Sequence, residues 1–117
     1  MKLDEVYRAA GGDAALTVSR LGGEERVRRF LRCYPADSSY DRLRAALAAE
    51  DREAAFLAVH TLKGVALTLG LNRVGNAAAR LTEQLRVPGA RPEQGLLAEL
   101  ERAQEETLAA IAGLEPG

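Results

Sequence analysis

Apolar residues recur at three- and four-residue spacing through successive segments, with glycine, proline and capping residues between them, which is helical punctuation. Leu3, Val6, Tyr7 and Ala10 mark a short helix that Gly11-Gly12 breaks. Asp13 is placed to cap a second short helix through Arg20, which Gly22-Gly23 breaks. This N-terminal segment is expected to lie over one end of a bundle and to border any docking surface there. Val27, Phe30, Leu31 and Tyr34 form the stripe of a helix from Glu24 to Tyr34, ended by Pro35. Ser38 or Ser39 can cap the next helix, which runs to about Glu50 with Leu43, Ala46 and Leu47 inward. After Gly70 a very short turn precedes a helix that Asn72 can cap. It runs to about Val87 with Val74, Ala77, Ala78, Leu81 and Leu85 in register. So short a connection makes that helix antiparallel to the one before it. Pro88-Gly89 ends it, and Pro92 suits the first turn of a last helix carrying Leu97, Leu100, Thr107, Leu108, Ile111 and Leu114, with Pro116-Gly117 as a frayed tail. The expected fold is all-α, an antiparallel up-down four-helix bundle with additional short N-terminal helices. It forms a single domain over residues 1–117, the short helices in 1–22 and the bundle in 23–114.

The remaining segment, Asp51 to Gly70, organises the rest. Asp51 is a good N-cap, Glu53 suits the positive first turn and Gly70 a left-handed stop. One face carries Ala55, Ala58, Leu62, Val65, Ala66 and Leu69, small and apolar, suited to close packing. The other carries Phe56, His60, Lys63, Gly64 and Leu67, and so holds the only histidine of the chain and one of its two lysines. A glycine within a helix costs about 0.5–1 kcal/mol relative to alanine, and this chain is rich in alanine. Gly64 lies one turn beyond His60, so the missing Cβ leaves the space above the imidazole open. Lys63, three residues after His60, can reach the same space. An accessible imidazole nucleophile, a compact positive charge and room for a bulky group describe a phosphoryl site. Phe56 and Leu67 would form an apolar rim for a docking protein. Taken singly, each has a plainer use: a surface histidine, a solvated lysine, a glycine for close helix packing, two covered apolar residues. Their coincidence on one face favours the site.

The stretch A-V-H-T-L-K-G continuing through V-A-L-T-L-G resembles the signature of histidine-containing phosphotransfer (HPt) domains, in which H-x-L-K-G is followed by a small or apolar run ending in glycine. The flanks DRLRAALAAEDREA and SRLGGEERVRRFLRCYPAD upstream, and LNRVGNAAARLTEQLR downstream, are similar to the family's neighbouring helices in the same order. The resemblance implies that His60 accepts a phosphoryl group, that Lys63 steadies it and that Gly64 gives it room. The donors and acceptors implied are response-regulator receiver domains or a hybrid histidine kinase. The chain would need no cofactor of its own, Mg²⁺ being expected on the receiver, and would act as a carrier in a two-component phosphorelay rather than as an independent kinase or phosphatase. One position departs from the family's pattern. Twenty-two residues after the histidine, HPt domains often place Glu or Gln to hold the imidazole, and here that position is Thr82. Threonine is a shorter hydrogen-bonding group, so the imidazole would be held less firmly or through water, and the departure favours a receiver-to-receiver shuttle.

Composition narrows the alternatives. The chain is 47% hydrophobic with 4% aromatic residues and a net charge of −1, so neither a basic imbalance nor an aromatic-interleaved basic patch supports nucleic-acid binding. No apolar run approaches membrane-spanning length and no secretory leader is apparent, which gives the expectation of a cytoplasmic monomer. Cys33 is single, so no internal disulfide forms, and no second His or Cys exists for a zinc site. No phosphate-binding glycine loop is present. The competing reading is a non-catalytic helical-bundle interaction module that binds a signalling partner without being phosphorylated. A histidine-kinase dimerisation domain is weaker, because an acidic residue usually follows the histidine there, and here Thr61 does.

Overall fold

The computed structural model describes residues 1–116, so that of the tail expected at Pro116-Gly117 the last residue lies outside the described residues. Among the described residues all regular structure is helical: α1 (Leu3–Ala10), α2 (Ala14–Leu21), α3 (Glu24–Cys33), α4 (Ser39–Ala48), α5 (Arg52–Thr68), α6 (Asn72–Leu85) and α7 (Gln94–Ala112), with a 3₁₀ turn at Tyr34–Ala36. α5 packs between α4 and α6, and α7 closes against α6. The fourth position of the bundle is shared by two short helices laid end to end. The 3₁₀ turn after α3 meets α7, where Tyr34 Oη donates to Gln104 Oε1 at 2.6 Å, and Arg28 of α3 donates to the Glu115 carbonyl just past α7 at 2.8 Å. α4 lies beside the first half of α7, where Arg44 approaches Glu101 at 3.9 Å. Pro35 in the 3₁₀ turn separates the two.

The centre is built from small residues. Ala55, Ala58, Val59, Leu62 and Ala66 of α5 meet Val74, Ala77, Ala78 and Leu81 of α6, all buried. Small side chains allow the two long helices to approach closely. Val65, assigned to the packed face, is only half-buried, and Val59 takes the inner place. The last helix is rotated slightly from its expected stripe. Leu97, Leu108 and Leu114 are half-buried, while Leu96, Ala103, Gln104 and Ala110 are inside. This follows from α7 packing against both α6 and α1.

Three expected caps differ. Ser38 precedes α4, but its side chain makes no capping bond; Asp37 Oδ1 accepts from the Ser39 backbone N–H at 2.9 Å instead. Asn72 is the first residue of α6 rather than its cap, and its amide donates to the Gly11 carbonyl at 3.4 Å. Pro92 stands before α7, whose N-cap is Glu93. By contrast Asp13 and Asp51 both cap with their side chains, accepting from Leu16 N at 3.0 Å and Ala54 N at 3.1 Å.

The N-terminal helices clasp the α5–α6 turn. Tyr7 Oη donates to the Leu69 carbonyl at 2.6 Å, and Arg20 donates to the Thr68 and Leu67 carbonyls at 2.7 and 3.3 Å. The guanidinium thereby satisfies carbonyls at the negative end of α5. Gly70 turns the chain at φ +75°, and a Cβ built on Gly12 would run into its carbonyl. Neither position has room for a side chain. Burial pushes the Tyr7 phenol up to about 12, against smaller opposing effects of Thr17 and Arg20. Burial, and then the charge of Asp37, raise Tyr34 as well, while its bond to Gln104 opposes the rise.

Candidate functional site

The solvent face of α5 is uncharged over most of its length. Leu57, His60, Thr61, Gly64 and Thr68 are all exposed along it, Leu57 at 60%. A helix facing water normally carries charged or long polar residues there. Glu53 at the start is the only charged residue among the exposed positions of α5. Leu57 is the most exposed apolar residue of this helix and belongs to the face that contains His60. Sequence reading placed it on neither face.

Gly64 sits in open space: a Cβ built there would meet no atom within 4 Å. The packing use of this glycine is therefore excluded among the described residues. A groove of about 440 Å³ runs beside it between α3 and α5, lined by Phe30, Cys33, Gly64, Val65 and Thr68 among others. A larger cavity, of about 700 Å³, opens between Leu47, Asp51, Leu85 and Leu97, and neither His60 nor Lys63 lines it.

Lys63 is half-buried and has no ion-pair partner among the described residues. It lies toward α6, on the same side of α5 as Phe56 and Leu67. Those two are half-buried rather than a free rim. Leu67 leans on α6 at Gly75, where a Cβ would come within 2.7 Å of Leu67 Cγ. Phe56 packs against the core and carries the His60 ring in a parallel stack, with centroids 6.0 Å apart and planes 5° apart.

Two further residues complete this side. The Arg86 guanidinium lies over the Phe56 ring at 5.3 Å, and its Nε is bonded to Glu83 Oε2. Sequence analysis places neither Arg86 nor Glu83 at the site. The signal was available in the hairpin register: Leu67 faces Gly75, and Arg52 donates to the Leu85 carbonyl at 2.6 Å. That register carries the end of α6 past Phe56.

The same register brings Thr82 to the level of His60, but its side chain does not reach outward. Thr82 is buried, and Oγ1 donates to the Ala78 carbonyl of its own helix at 2.7 Å. Among the described residues no hydrogen bond links it to His60. A threonine hydroxyl in a helix reaches the carbonyl four residues back more readily than a neighbouring helix.

Among the described residues no helix is long and apolar enough to cross a membrane. Comparison with curated proteins and with solved structures finds no match. The family model of the Hpt domain matches residues 36–112, from the 3₁₀ turn through α7, and takes in the whole His60 face of α5. With an all-helical bundle around that face, the chain belongs to the Hpt domain family, helical phosphotransfer modules of phosphorelays.

Proposed function

We propose that this chain is a phosphohistidine carrier that accepts a phosphoryl group on His60 from a receiver-domain aspartate, or from a kinase, and passes it to another receiver. The observation that carries the reading is Gly64. It is a costly residue in mid-helix, one turn from an exposed imidazole, and nothing among the described residues uses the space it leaves. The beneficiary is then a molecule outside the chain, and the room lies where a phosphoryl group on His60 and its donor would sit.

In the transfer, a neutral His60 ring with its proton on Nδ1 attacks phosphorus through Nε2. The N–P bond forms as the P–O bond to the receiver's aspartate breaks, and the electron pair leaves with the carboxylate. The Nδ1 proton stays on the ring. Return transfer runs the same steps backwards onto a second receiver. The transition state is largely dissociative, so alignment and charge stabilisation supply most of the effect. Lys63, without an ion-pair partner among the described residues, steadies the phosphoryl oxygens. Mg²⁺ and the remaining catalytic groups come with the receiver. Docking rests on Leu57 and the apolar α3–α5 groove, with Phe56 and Leu67 as its inner edge. Thr82 takes no step. A carrier of this kind works as a monomer in the cytoplasm, with neither kinase nor phosphatase activity of its own.

The test is phosphoryl uptake from phosphorylated receiver domains of the same organism in Mg²⁺, read by intact-protein mass. One phosphoryl group should appear on the wild-type chain and none on His60→Gln, with the variant equally helical. Equal uptake by His60→Gln would remove His60 from the reaction. A folded wild-type chain that binds receivers without uptake would favour the interaction module.

A further inference from the structure

The imidazole of a phosphocarrier must be held so that one nitrogen faces the donor. In this chain no hydrogen bond from α6 does so, because the Thr82 hydroxyl is committed to Ala78. The His60 ring instead lies parallel to Phe56, one turn earlier on the same helix. Parallel, offset rings at this separation attract one another. The Phe56 ring is in turn fixed from two directions: it packs against the core, and the Arg86 guanidinium sits over it. The Arg86 Nε is bonded in turn to Glu83 one turn back. Four side chains thus form a chain of contacts from Glu83 to Arg86 to Phe56 to His60, ending at the reacting ring.

We infer that Phe56 is a positioning residue for the phosphoacceptor, braced by the Glu83–Arg86 pair, and that this aromatic stack does the orienting work that a hydrogen bond from the Thr82 position would otherwise do. The inference rests on the phosphocarrier reading and adds to it. It gives Phe56 a role in the chemistry separate from docking. It also assigns Arg86 to the ring stack, leaving Lys63 as the cation for phosphate.

The two roles of Phe56 separate when the donor is a small molecule. Phosphoramidate transfers its phosphoryl group to a histidine nitrogen with ammonia as the leaving group, and needs no protein docking surface. Wild type, Phe56→Leu, Phe56→Tyr and Arg86→Gln are compared in its uptake rate, after thermal melts establish that each is folded. A stacking contribution of the usual size predicts a loss of about three- to tenfold for Phe56→Leu. Arg86→Gln should lose less, and Phe56→Tyr, which keeps the aromatic face, should retain the wild-type rate. Adding Thr82→Gln to Phe56→Leu should restore part of the loss by supplying a hydrogen bond to the ring.

Ring-proton NMR gives a readout that does not depend on phosphorylation. His60 is the one histidine, so its two ring-carbon protons are assigned without ambiguity. They should carry a ring-current shift that vanishes in Phe56→Leu and survives in Phe56→Tyr. A Phe56→Leu variant with the wild-type phosphoramidate rate, or with unchanged His60 ring signals, overturns the inference while leaving the carrier reading in place. A wild-type chain that takes no phosphoryl group from receiver or phosphoramidate overturns both.

Discussion

Gly64 and Gly75 stand on facing helices, each at a position where intrinsic helix propensity alone favours alanine. Their surroundings are opposite. At Gly75 an added Cβ would overlap the Leu67 side chain, so the glycine lets α5 and α6 approach and gives Leu67 its place. At Gly64 the same Cβ would touch nothing. Gly75 serves the fold, whereas Gly64 has no packing use among the described residues, and the carrier reading assigns its space to a docking partner. A helix defect with no internal use, beside an exposed nucleophile, is a stronger pointer to function than a cavity. A cavity larger than the groove beside Gly64 lies away from His60 and Lys63.

Substitutions at the two glycines should leave opposite signatures. Gly64→Gln fills the open space above His60 and should cut transfer by a hundredfold or so, the scale of effect expected from a misplaced reacting group. The same change should raise stability by roughly 0.5 kcal/mol, since helix propensity improves. Coupled transfer and thermal-melt measurements read the two signs together, and normal transfer in this variant would put Gly64 outside the site. Gly75→Ala should show the reverse pattern. The overlap with Leu67 predicts a loss of about 1–3 kcal/mol in denaturant unfolding, with phosphoramidate uptake at His60 largely kept.

Lys63→Ala sharpens the outward-facing half. Removing one charge-assisted contact to the phosphoryl oxygens should slow transfer or shorten the phosphohistidine lifetime about tenfold, with the melt unchanged. Wild-type kinetics would remove Lys63 from the role. The smallest effect concerns the crowded end of the hairpin, where Tyr7 bonds to the Leu69 carbonyl. Burial raises its phenol from 10.0 to about 12. Between these values the unfolded chain has lost the proton that the folded chain keeps, so stability falls as pH rises. The contribution is fully present below pH 10 and lost on passing through 12. Tyr7→Phe should flatten that part of the stability profile, because it has no phenol to ionise.

Much of this was legible in the sequence because it is local. The stripes Leu3, Val6, Tyr7, Ala10 and Val74, Ala77, Ala78, Leu81, Leu85 are buried as their spacing predicts. Asp51 and Asp13 cap as short acceptors before a helix should. The exposure of His60 and Gly64 also follows from their place on the second face of α5. What periodicity could not supply was tertiary. The end-to-end seating of α3 and α4 depends on contacts such as Tyr34 with Gln104, seventy residues apart. The Ser38 and Asn72 caps were displaced by competing partners, Asp37 in one case and the Gly11 carbonyl in the other. Leu67 is half-buried because Gly75 lies opposite it across the hairpin, a neighbour that periodicity alone does not supply. Arg86 was missed because its neighbour Phe56 is thirty positions away and meets it only once the hairpin has closed.

The most direct test of the account is the chemical stability of the label that phosphorylated receivers place on this chain. A phosphoryl group on an imidazole nitrogen should be lost in acid, survive alkali and be absent from His60→Gln. Label that survives acid, or that persists in His60→Gln, would contradict the assignment of His60 as the phosphoacceptor.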